Sequence, residues 1–409
     1  MEMKKKSVGL RVTVFWSVVL GMLLIMNSFS VAADPVRISV LTDMSGPYSG
    51  FAATNVDAAK MAIKDFGGKL LGQDIEFFSR DHQSKADLGN QKAKELFEKE
   101  KVDAIFDCPN SAAALAVSNQ ALLNKKLFFS IVSGTTRNTG AECNRYTFDW
   151  AWNDYSVVTS VGVWGVEKLG KKWYTITADY AWGHDLFKHL SNALKEKGAT
   201  LLGNDMVALG TADFSPYILN AMKTNPDVLA ILNAGKDTVN STKQVVEFGL
   251  KKKTKIIHGF LSIDDIKAAG QDMFAGGYLS GSWDWKLDIP GVKEFVAKWK
   301  AQFNRPPNAM NAATYSCVTQ YMEAVKRAGT KDAPAVIKAL EGHTFRDFFA
   351  NPGYIRPEDH MQVGTTYIFK VKEPGESKEP WDYLELVGTA SPETAFMDPK
   401  QTGCKMGDF

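Results

Sequence analysis

The stretch IFDCPNSAAALAVS, residues 105–118, decides how this chain folds. A short apolar strand ends at Pro109, and an alanine-rich helix follows. Asn110 and Ser111 stand where the N-cap of that helix belongs. The first backbone N–H groups of the helix are therefore free to point beyond the strand end. The positive end of the helix dipole lies behind them, and this arrangement favours binding of an anion.

A second stretch, FFSIVSGTTRNT, residues 128–139, has the same build. It begins as another apolar strand and reaches Ser133, Gly134 and Thr135, whose hydroxyl and N–H groups are further hydrogen-bond donors. In open α/β sheets, ligands bind at the carboxyl ends of the strands. The two stretches together predict one half of a site for a carboxylate. The alternative interpretation is a pair of ordinary connections with capped helices.

Strands and helices alternate along the chain in the manner of α/β proteins. Apolar strand segments separated by helical ones occur near residues 37–41, 75–78, 102–106 and 127–132. The same rhythm starts again after Trp150, with strand segments near residues 173–176, 228–232 and 255–258. This alternation predicts two doubly wound parallel sheets. The length of the chain also exceeds what one hydrophobic core usually supports, so we expect two lobes.

Residues 1–33 have the three-part pattern of a secretory signal. A basic opening is followed by an apolar run over residues 12–26 and by small residues that end at Ala33. The run is shorter than the ~20 residues that a membrane span needs, which argues against the alternative of a membrane anchor. We expect cleavage near Ala33 and a freely soluble exported protein.

Charge and cysteine content narrow the classes of function. Beyond residue 33 the chain carries 44 Lys and Arg against 45 Asp and Glu, and this balance argues against nucleic acid or an anionic membrane as partner. Cys143 and Cys404 lie in polar segments, and export permits a disulfide between them. Cys108 and Cys317 lie in apolar surroundings and are expected to be buried thiols.

The sequence contains no motif for catalysis or cofactor binding. The six histidines lack zinc-site spacing, and the chain has neither a phosphate-binding loop nor a G-x-S-x-G turn. Asp179, at a predicted strand end, is the best candidate for an acid or base, but the pattern gives it no partner. We expect no enzyme activity, no cofactor and no metal. A secreted hydrolase and the sensing domain of a membrane receptor are the alternatives from other classes.

Four short motifs together resemble a known family. In order along the chain they are DMSGPYSG at 43–50, CPNS at 108–111, SGT at 133–135 and DYAWG at 179–183. Their order and spacing resemble the periplasmic solute-binding proteins of branched-chain amino acid type ABC transporters, over essentially the whole mature chain. The resemblance implies the type I periplasmic binding fold, a monomer, and permease subunits of an inner-membrane ABC importer as partners.

The resemblance also implies how the two lobes are divided. Lobe 1 combines residues 34–149 and 285–362, and lobe 2 combines residues 150–284 and 363–409. The three crossovers that form the hinge lie near residues 148–151, 281–285 and 363–366. The ligand is then trapped in the cleft when the lobes close by a hinge motion.

In that family the first lobe holds the ligand carboxylate. Because Pro109 replaces a usual serine, Asn110 or Ser111 has to supply the side-chain contact. Phe51 matches an aromatic residue that covers the ligand in the family. Trp182 matches a wall of the second lobe, and Met310 matches an apolar contact. The full set of predicted ligand-binding residues is Phe51, Asn110, Ser111, Ser133, Gly134, Thr135, Trp182, Ala234, Phe260, Trp283 and Met310.

Two departures from the family pattern bear on the ligand. Phe260 stands where family members place the acid that holds an ammonium group, and Ala234 stands where many carry a tyrosine. Burying an ammonium group without a counter-charge costs about several kcal/mol. Tryptophans crowd the cleft and crossovers, which favours an aromatic or otherwise bulky carboxylate. An amino acid or amide is the alternative ligand, because another acid can replace the missing one: Asp149, Asp237 or Asp284.

Overall fold

Two β-sheets organise the chain, and helices pack against both. The computed structural model describes residue 1 and residues 34–408. The predicted secretory signal, residues 1–33, lies outside the described part apart from Met1. Each main sheet forms one lobe with its helices, which confirms the predicted α/β architecture.

The strands of the described residues are short. In chain order they are β1 (Arg37–Thr42), β2 (Lys69–Leu70), β3 (Gln73–Asp74), β4 (Glu76–Asp81), β5 (Ala104–Asp107), β6 (Leu127–Ser130), β7 (Thr147–Asp149), β8 (Lys172–Ala178), β9 (Thr200–Val207), β10 (Val228–Leu232), β11 (Lys255–His258), β12 (Tyr278–Gly281), β13 (Thr344–Phe345), β14 (Gly353–Ile355), β15 (Gln362–Val363), β16 (Thr366–Val371) and β17 (Leu384–Ala390).

Helices separate most of these strands. In chain order they are α1 (Ser49–Ala52), α2 (Asn55–Asp65), α3 (Ala86–Glu98), α4 (Ser111–Asn124), α5 (Asp154–Lys168), α6 (Ala181–Glu196), α7 (Ser215–Thr224), α8 (Lys236–Glu247), α9 (Ile263–Ala269), α10 (Gln271–Phe274), α11 (Val292–Phe303), α12 (Ala309–Ala328), α13 (Ala333–Leu340), α14 (Pro392–Ala395) and α15 (Pro399–Thr402). Short 3-10 helices occur at Thr136–Thr139, Leu250–Lys252 and Pro374–Glu376.

The first sheet has five parallel strands in the order β4-β1-β5-β6-β7. Strands β5 and β6 are buried throughout, which explains why they are continuous apolar runs in the sequence. The rings of Phe106 and Phe129 stack 4.8 Å apart, and Phe148 stacks on Phe129 at 5.2 Å. The strand order reverses between β1 and β5, and ligands bind beyond the strand ends at such switch points.

The second sheet has seven strands in the order β17-β16-β12-β11-β10-β8-β9. Strands β8 to β12 are parallel, and its switch point lies between β8 and β10. Strands β16 and β17 are antiparallel to their neighbours, unlike the rest of this sheet. They arrive late in the chain without a helical crossover between them, and an antiparallel edge on a parallel sheet is common.

The chain passes between the two sheets three times, at residues 150–153, 282–291 and 364–365. The first passage ends where the Asn153 side chain caps α5 by accepting a hydrogen bond of 2.9 Å from the Ser156 N–H. Strands β13, β14 and β15 form a small separate sheet. A bridge between Asp149 and Met361 attaches this small sheet to the first lobe.

The last residues run over the surface beside the first lobe. Cys143 and Cys404 are joined by a disulfide with an S–S distance of 2.03 Å. The Arg145 Nε donates a hydrogen bond of 2.8 Å to the Gly407 carbonyl, which holds the same segment. Cys108 and Cys317 are free and buried, as the sequence predicted.

Candidate functional site

The carboxyl ends of strands from both sheets meet at one cavity of about 310 Å³. The first lobe contributes the connections that follow β1, β5 and β6, and the second lobe those that follow β8, β10 and β11. Ligand sites of open α/β sheets lie at this end of the strands. The residues that line the cavity are Tyr48, Phe51, Pro109, Asn110, Ser111, Val132, Ser133, Gly134, Trp152, Tyr180, Trp182, Ala234 and Phe260.

A strained turn delivers the chain from β5 to the cavity. Asp107 and Cys108 have φ values of 89° and 77°, a region that side chains other than glycine rarely adopt. The turn places Asn110 at the N-cap of α4, where its side-chain oxygen accepts a hydrogen bond of 3.1 Å from the Ala113 N–H. The N–H groups of the first helical residues remain without a partner inside the helix, so this end of α4 can bind an anion.

Ser133 and Gly134 complete this side of the cavity. The Ser133 side chain is 2% exposed, and within the described chain its hydroxyl has no hydrogen-bond partner. A Cβ atom at Gly134 would lie 2.6 Å from the Trp152 ring and would also collide with the Asp154 carboxylate, so only glycine fits there. The backbone therefore approaches the cavity closely, beside a free hydroxyl.

Aromatic rings form the remaining walls. The Phe51 ring of the first lobe lies 4.8 Å from the Phe260 ring of the second lobe, and Phe260 lies 5.7 Å from Trp152. The hydroxyl groups of Tyr48 and Tyr180 are 2.6 Å apart across the lobes. Burial raises the pKa of Tyr48 to about 12, so its hydroxyl keeps its proton at neutral pH. Flat apolar faces of this kind suit a planar ligand.

None of the residues lining this cavity is charged. Asp154 lies directly behind Gly134, and burial raises the pKa of its carboxyl well above the usual value, with further repulsion from Asp185. The sequence offered three acids that could replace the missing partner of an ammonium group. These residues, Asp149, Asp237 and Asp284, do not line the cavity. A ligand ammonium group would therefore find no charged partner on its walls.

The structure brings eight of the predicted ligand-binding residues to this cavity, namely Phe51, Asn110, Ser111, Ser133, Gly134, Trp182, Ala234 and Phe260. Trp283 and Met310 line an adjoining chamber instead. The Trp283 Nε1–H is directed away to the Phe348 carbonyl, to which it donates a hydrogen bond of 2.9 Å.

Thr135, which the sequence predicted as a ligand-binding residue, does not line the cavity. Its hydroxyl donates a hydrogen bond of 3.0 Å to Asp185 on α6 of the other lobe, and its side chain is fully buried. Thr135 is the residue that precedes a 3-10 helix, and this turn points it towards the second lobe rather than the cavity. Thr135 therefore links the lobes.

Sequence reasoning missed the two tyrosines of the cavity. Tyr48 lies in the same connection as Phe51, and Tyr180 is two residues before Trp182. Both tyrosines belong to motifs that carry the family resemblance. Their position in these motifs is the sequence feature from which their role could have been predicted. Trp152, one of the tryptophans near the crossovers, also lines the cavity, with 4% of its surface exposed.

Polar contacts hold the lobes together beside the cavity. Asp264, at the start of α9 in the second lobe, forms an ion pair with Arg305. Its other carboxylate oxygen accepts a hydrogen bond of 2.6 Å from the Asn308 side chain. Arg305 is anchored to the first lobe by a hydrogen bond of 3.1 Å to Thr54. The structure therefore has the lobes closed on each other.

No helix within residues 34–408 is both long and apolar enough to cross a membrane. In that same range, no group of three or more His, Cys, Asp or Glu side chains is arranged to hold a metal ion. The cavity between the lobes is the candidate site.

Comparison with known proteins places this geometry in a family. The family model described as periplasmic binding protein matches residues 35–378. A curated relative from Brucella suis, "Leu/Ile/Val-binding protein homolog 7", is 24% identical over 331 residues, which are 76% of this chain and 81% of the relative.

Solved structures share the whole architecture. A periplasmic binding protein from Burkholderia mallei is 36% identical, with a TM-score of 0.87. The match covers 92% of this chain and 100% of that one. The solute binding protein of an ABC transporter from Rhodopseudomonas palustris, solved in complex with 3,4-dihydroxybenzoic acid, is 24% identical with a TM-score of 0.79, over 88% of this chain and 98% of that one. The chain therefore belongs to the periplasmic binding protein family, and it is a solute-binding receptor of the ABC-transporter type rather than an enzyme.

Proposed function

We propose that the two lobes close on a small carboxylate, aromatic or otherwise bulky, and that the protein delivers it to the permease subunits of an inner-membrane ABC importer. It acts as a monomer in the periplasm, after removal of residues 1–33 as a secretory signal. The lobes are residues 34–149 with 285–362 and residues 150–284 with 363–409. Phe51, Asn110, Ser111, Ser133, Gly134, Trp182, Ala234 and Phe260 are its ligand-binding residues.

The observation that carries the proposal is the unpartnered Ser133 hydroxyl, which lines the same cavity as the first turn of α4. A buried hydroxyl without a partner costs free energy, and a ligand oxygen that accepts its hydrogen bond removes this cost. The N–H groups of the first helical residues and the helix dipole favour the same negative group. A carboxylate satisfies both features at once.

The walls support an aromatic body on that carboxylate. Phe51, Trp152 and Phe260 present ring surfaces to the cavity, and the lining carries no charge that would hold an ammonium group. The protein of the same fold from Rhodopseudomonas palustris holds 3,4-dihydroxybenzoic acid, so the fold accommodates a ligand of this class.

An α-amino acid is the second candidate. The Brucella relative is named for leucine, isoleucine and valine, and this chain has an acid close to the cavity. Asp237 is 5% exposed, and its charge adds to the effect of burial in raising the pKa of Tyr48. An amino acid whose ammonium group reaches Asp237 through the tyrosine hydroxyls would use this charge.

Calorimetric titration with benzoate and with leucine distinguishes the two ligands. We expect benzoate to bind and leucine to give no heat. The Ser133→Ala variant should bind benzoate more weakly by about 1 to 3 kcal/mol, because the carboxylate loses a charge-assisted hydrogen bond. Ser39→Ala is the matched control, since Ser39 is also fully buried with an unpartnered hydroxyl but lies in β1, outside the cavity lining. Equal benzoate affinity in both variants would contradict this role of Ser133, and tight binding of leucine alone would favour the second candidate.

A further inference from the structure

A second chamber of about 600 Å³ adjoins the cavity that holds the proposed carboxylate site. Trp152 and Phe260 belong to the walls of both spaces, so these two rings form a shared partition. The second chamber is the larger of the two. A benzoate-sized ligand at the first turn of α4 leaves it empty.

The chemistry of the second chamber differs from that of the first. Its walls are mainly apolar and come from distant segments, among them Leu279, Met310, Phe369 and Leu384. Ser282 adds a hydroxyl that has no hydrogen-bond partner among the described residues. Two helices begin in its lining, α9 at Ile263 and α12 at Ala309, but the Asp284 carboxyl belongs to the same walls and disfavours an anion there. It therefore suits an apolar group.

The partition between the two spaces is a pair of ring contacts. The Phe260 ring lies 5.7 Å from Trp152 on one side and 4.8 Å from Phe51 on the other. The Phe260 backbone is held, because its carbonyl accepts a hydrogen bond of 3.4 Å from the Thr238 hydroxyl. The ring itself is held by packing against Trp152 and Phe51 and by no hydrogen bond, so a change of its side-chain rotamer alters the partition between the two spaces.

We propose that the second chamber is an extension of the binding site, and that it takes an apolar substituent carried by an aromatic carboxylate opposite its carboxyl group. This inference rests on the proposed function, since it places the carboxyl group at Ser133 and α4. Phe260 then lies along the ring of the ligand, and the substituent passes it to reach Leu279 and Met310. Trp283 and Met310, which the sequence predicted as ligand-binding residues, then contact the end of the ligand opposite its carboxyl group.

The inference predicts that affinity rises with the length of the substituent. Each buried methylene strengthens binding about fourfold. Calorimetric titration of the unmodified protein with benzoate, 4-ethylbenzoate and 4-butylbenzoate tests this. We expect 4-butylbenzoate to bind at least about tenfold more tightly than 4-ethylbenzoate, because two further methylenes leave water.

Gly281 provides a variant that fills the chamber without disturbing the first cavity. It lines the second chamber only, and a Cβ atom added there meets nothing within 4 Å. In Gly281→Leu we expect benzoate to bind as in the unmodified protein, whereas 4-butylbenzoate loses its advantage. Gly375→Leu is the control, because Gly375 also has open space around its Cβ position but lies in a 3-10 helix outside the lining.

The outcomes separate the two proposals. If none of the three acids binds the unmodified protein, the proposed function fails, and this inference fails with it. If benzoate binds but the alkyl chain brings no gain, or if Gly281→Leu keeps the full gain, the extension is overturned while the carboxylate site stands. A gain that disappears in Gly281→Leu and persists in Gly375→Leu supports the extension.

Discussion

The hydroxyl groups of Tyr48 and Tyr180 lie 2.6 Å apart and form a direct hydrogen bond between the two lobes. Tyr48 follows β1 of the first sheet, and Tyr180 follows β8 of the second. Both side chains also line the cavity. The contact exists only while the lobes are closed, so its free energy contributes to ligand binding through closure.

Tyr180→Phe should therefore weaken ligand binding. Closure then buries the Tyr48 hydroxyl, which is on a side chain 4% exposed, without its partner. The cost is about 1 to 3 kcal/mol, or between about fivefold and about 150-fold in the dissociation constant for benzoate. Titration calorimetry measures the change.

Tyr354→Phe is the matched control for that measurement. Tyr354 is 36% exposed on the small sheet and does not line the cavity, so the loss of its hydroxyl should leave the affinity unchanged. Equal affinities for the unmodified protein and for Tyr180→Phe would show that the tyrosine pair does not contribute to closure.

The ion pair between Asp264 and Arg305 gives a second prediction about closure. The two side chains are 10% and 18% exposed, so solvent screens the pair little. Asp264→Asn leaves Arg305 without its counter-charge when the lobes meet, and this should weaken benzoate binding by about 1 to 2 kcal/mol. Small-angle scattering should show a larger radius of gyration without ligand than the unmodified protein has.

Asp272→Asn serves as the control for the change in charge. Asp272 is exposed on α10 of the same lobe, and its side chain takes no part in the pair. We expect its affinity and its scattering curve to match those of the unmodified protein. Should Asp264→Asn also match them, the pair would be a passive surface contact.

The part of the site that the sequence predicted well depends on local rules. Asn110 at an N-cap and Ser133 at a strand end follow from residue types within a few positions, and both line the cavity. The two lobes follow in the same way, because the alternation of strands and helices recurs along the chain.

The part that the sequence could not predict depends on contacts between distant segments. Thr135 turns away because Asp185, fifty residues later on the other lobe, accepts its hydrogen bond. Tyr48 and Tyr180 meet over a separation of 132 residues. The second chamber combines Trp152, Met310 and Leu384 from three separate segments. Local patterns carry no information about such pairings, which the closed arrangement of the lobes determines.

Asp107 predicts a dependence of stability on pH. Burial raises the pKa of its carboxyl from the ordinary 3.8 to about 7 in the folded protein. Between these values the unfolded chain is charged at this residue while the folded protein is protonated. The folded protein therefore binds more protons there, and stability falls as pH rises from about 4 to about 7.

Asp107→Asn removes this dependence of stability on pH. One carboxylate oxygen accepts a hydrogen bond of 3.0 Å from Asn55, and an amide oxygen can keep it. We measure the free energy of unfolding by urea for the variant and for the unmodified protein. The difference between the two should shift in favour of the variant by on the order of 2 kcal/mol as pH rises from 5 to 8. Asp288→Asn, at an exposed position, controls for the loss of one negative charge. A difference that does not change with pH would contradict the raised pKa.

The disulfide between Cys143 and Cys404 predicts how the C-terminal segment is held. It joins residues 261 positions apart, and a covalent link over so long a loop restricts the unfolded chain strongly. Replacing both cysteines by serine should lower the free energy of unfolding by about 2 to 4 kcal/mol. Residues beyond α14 should also become more accessible to proteases, because the disulfide is the covalent attachment of that segment to the first lobe.

Ligand binding should survive this change, since neither cysteine lines the cavity. The unmodified protein treated with reductant is the matched control, and its unfolding curve should coincide with that of the double serine variant. Cys108 and Cys317 are buried thiols that reductant does not alter, so they do not complicate the comparison. Limited proteolysis followed by mass spectrometry locates the cleavage. If reductant changed neither the unfolding curve nor the cleavage pattern, the C-terminal segment would be held by its noncovalent contacts alone.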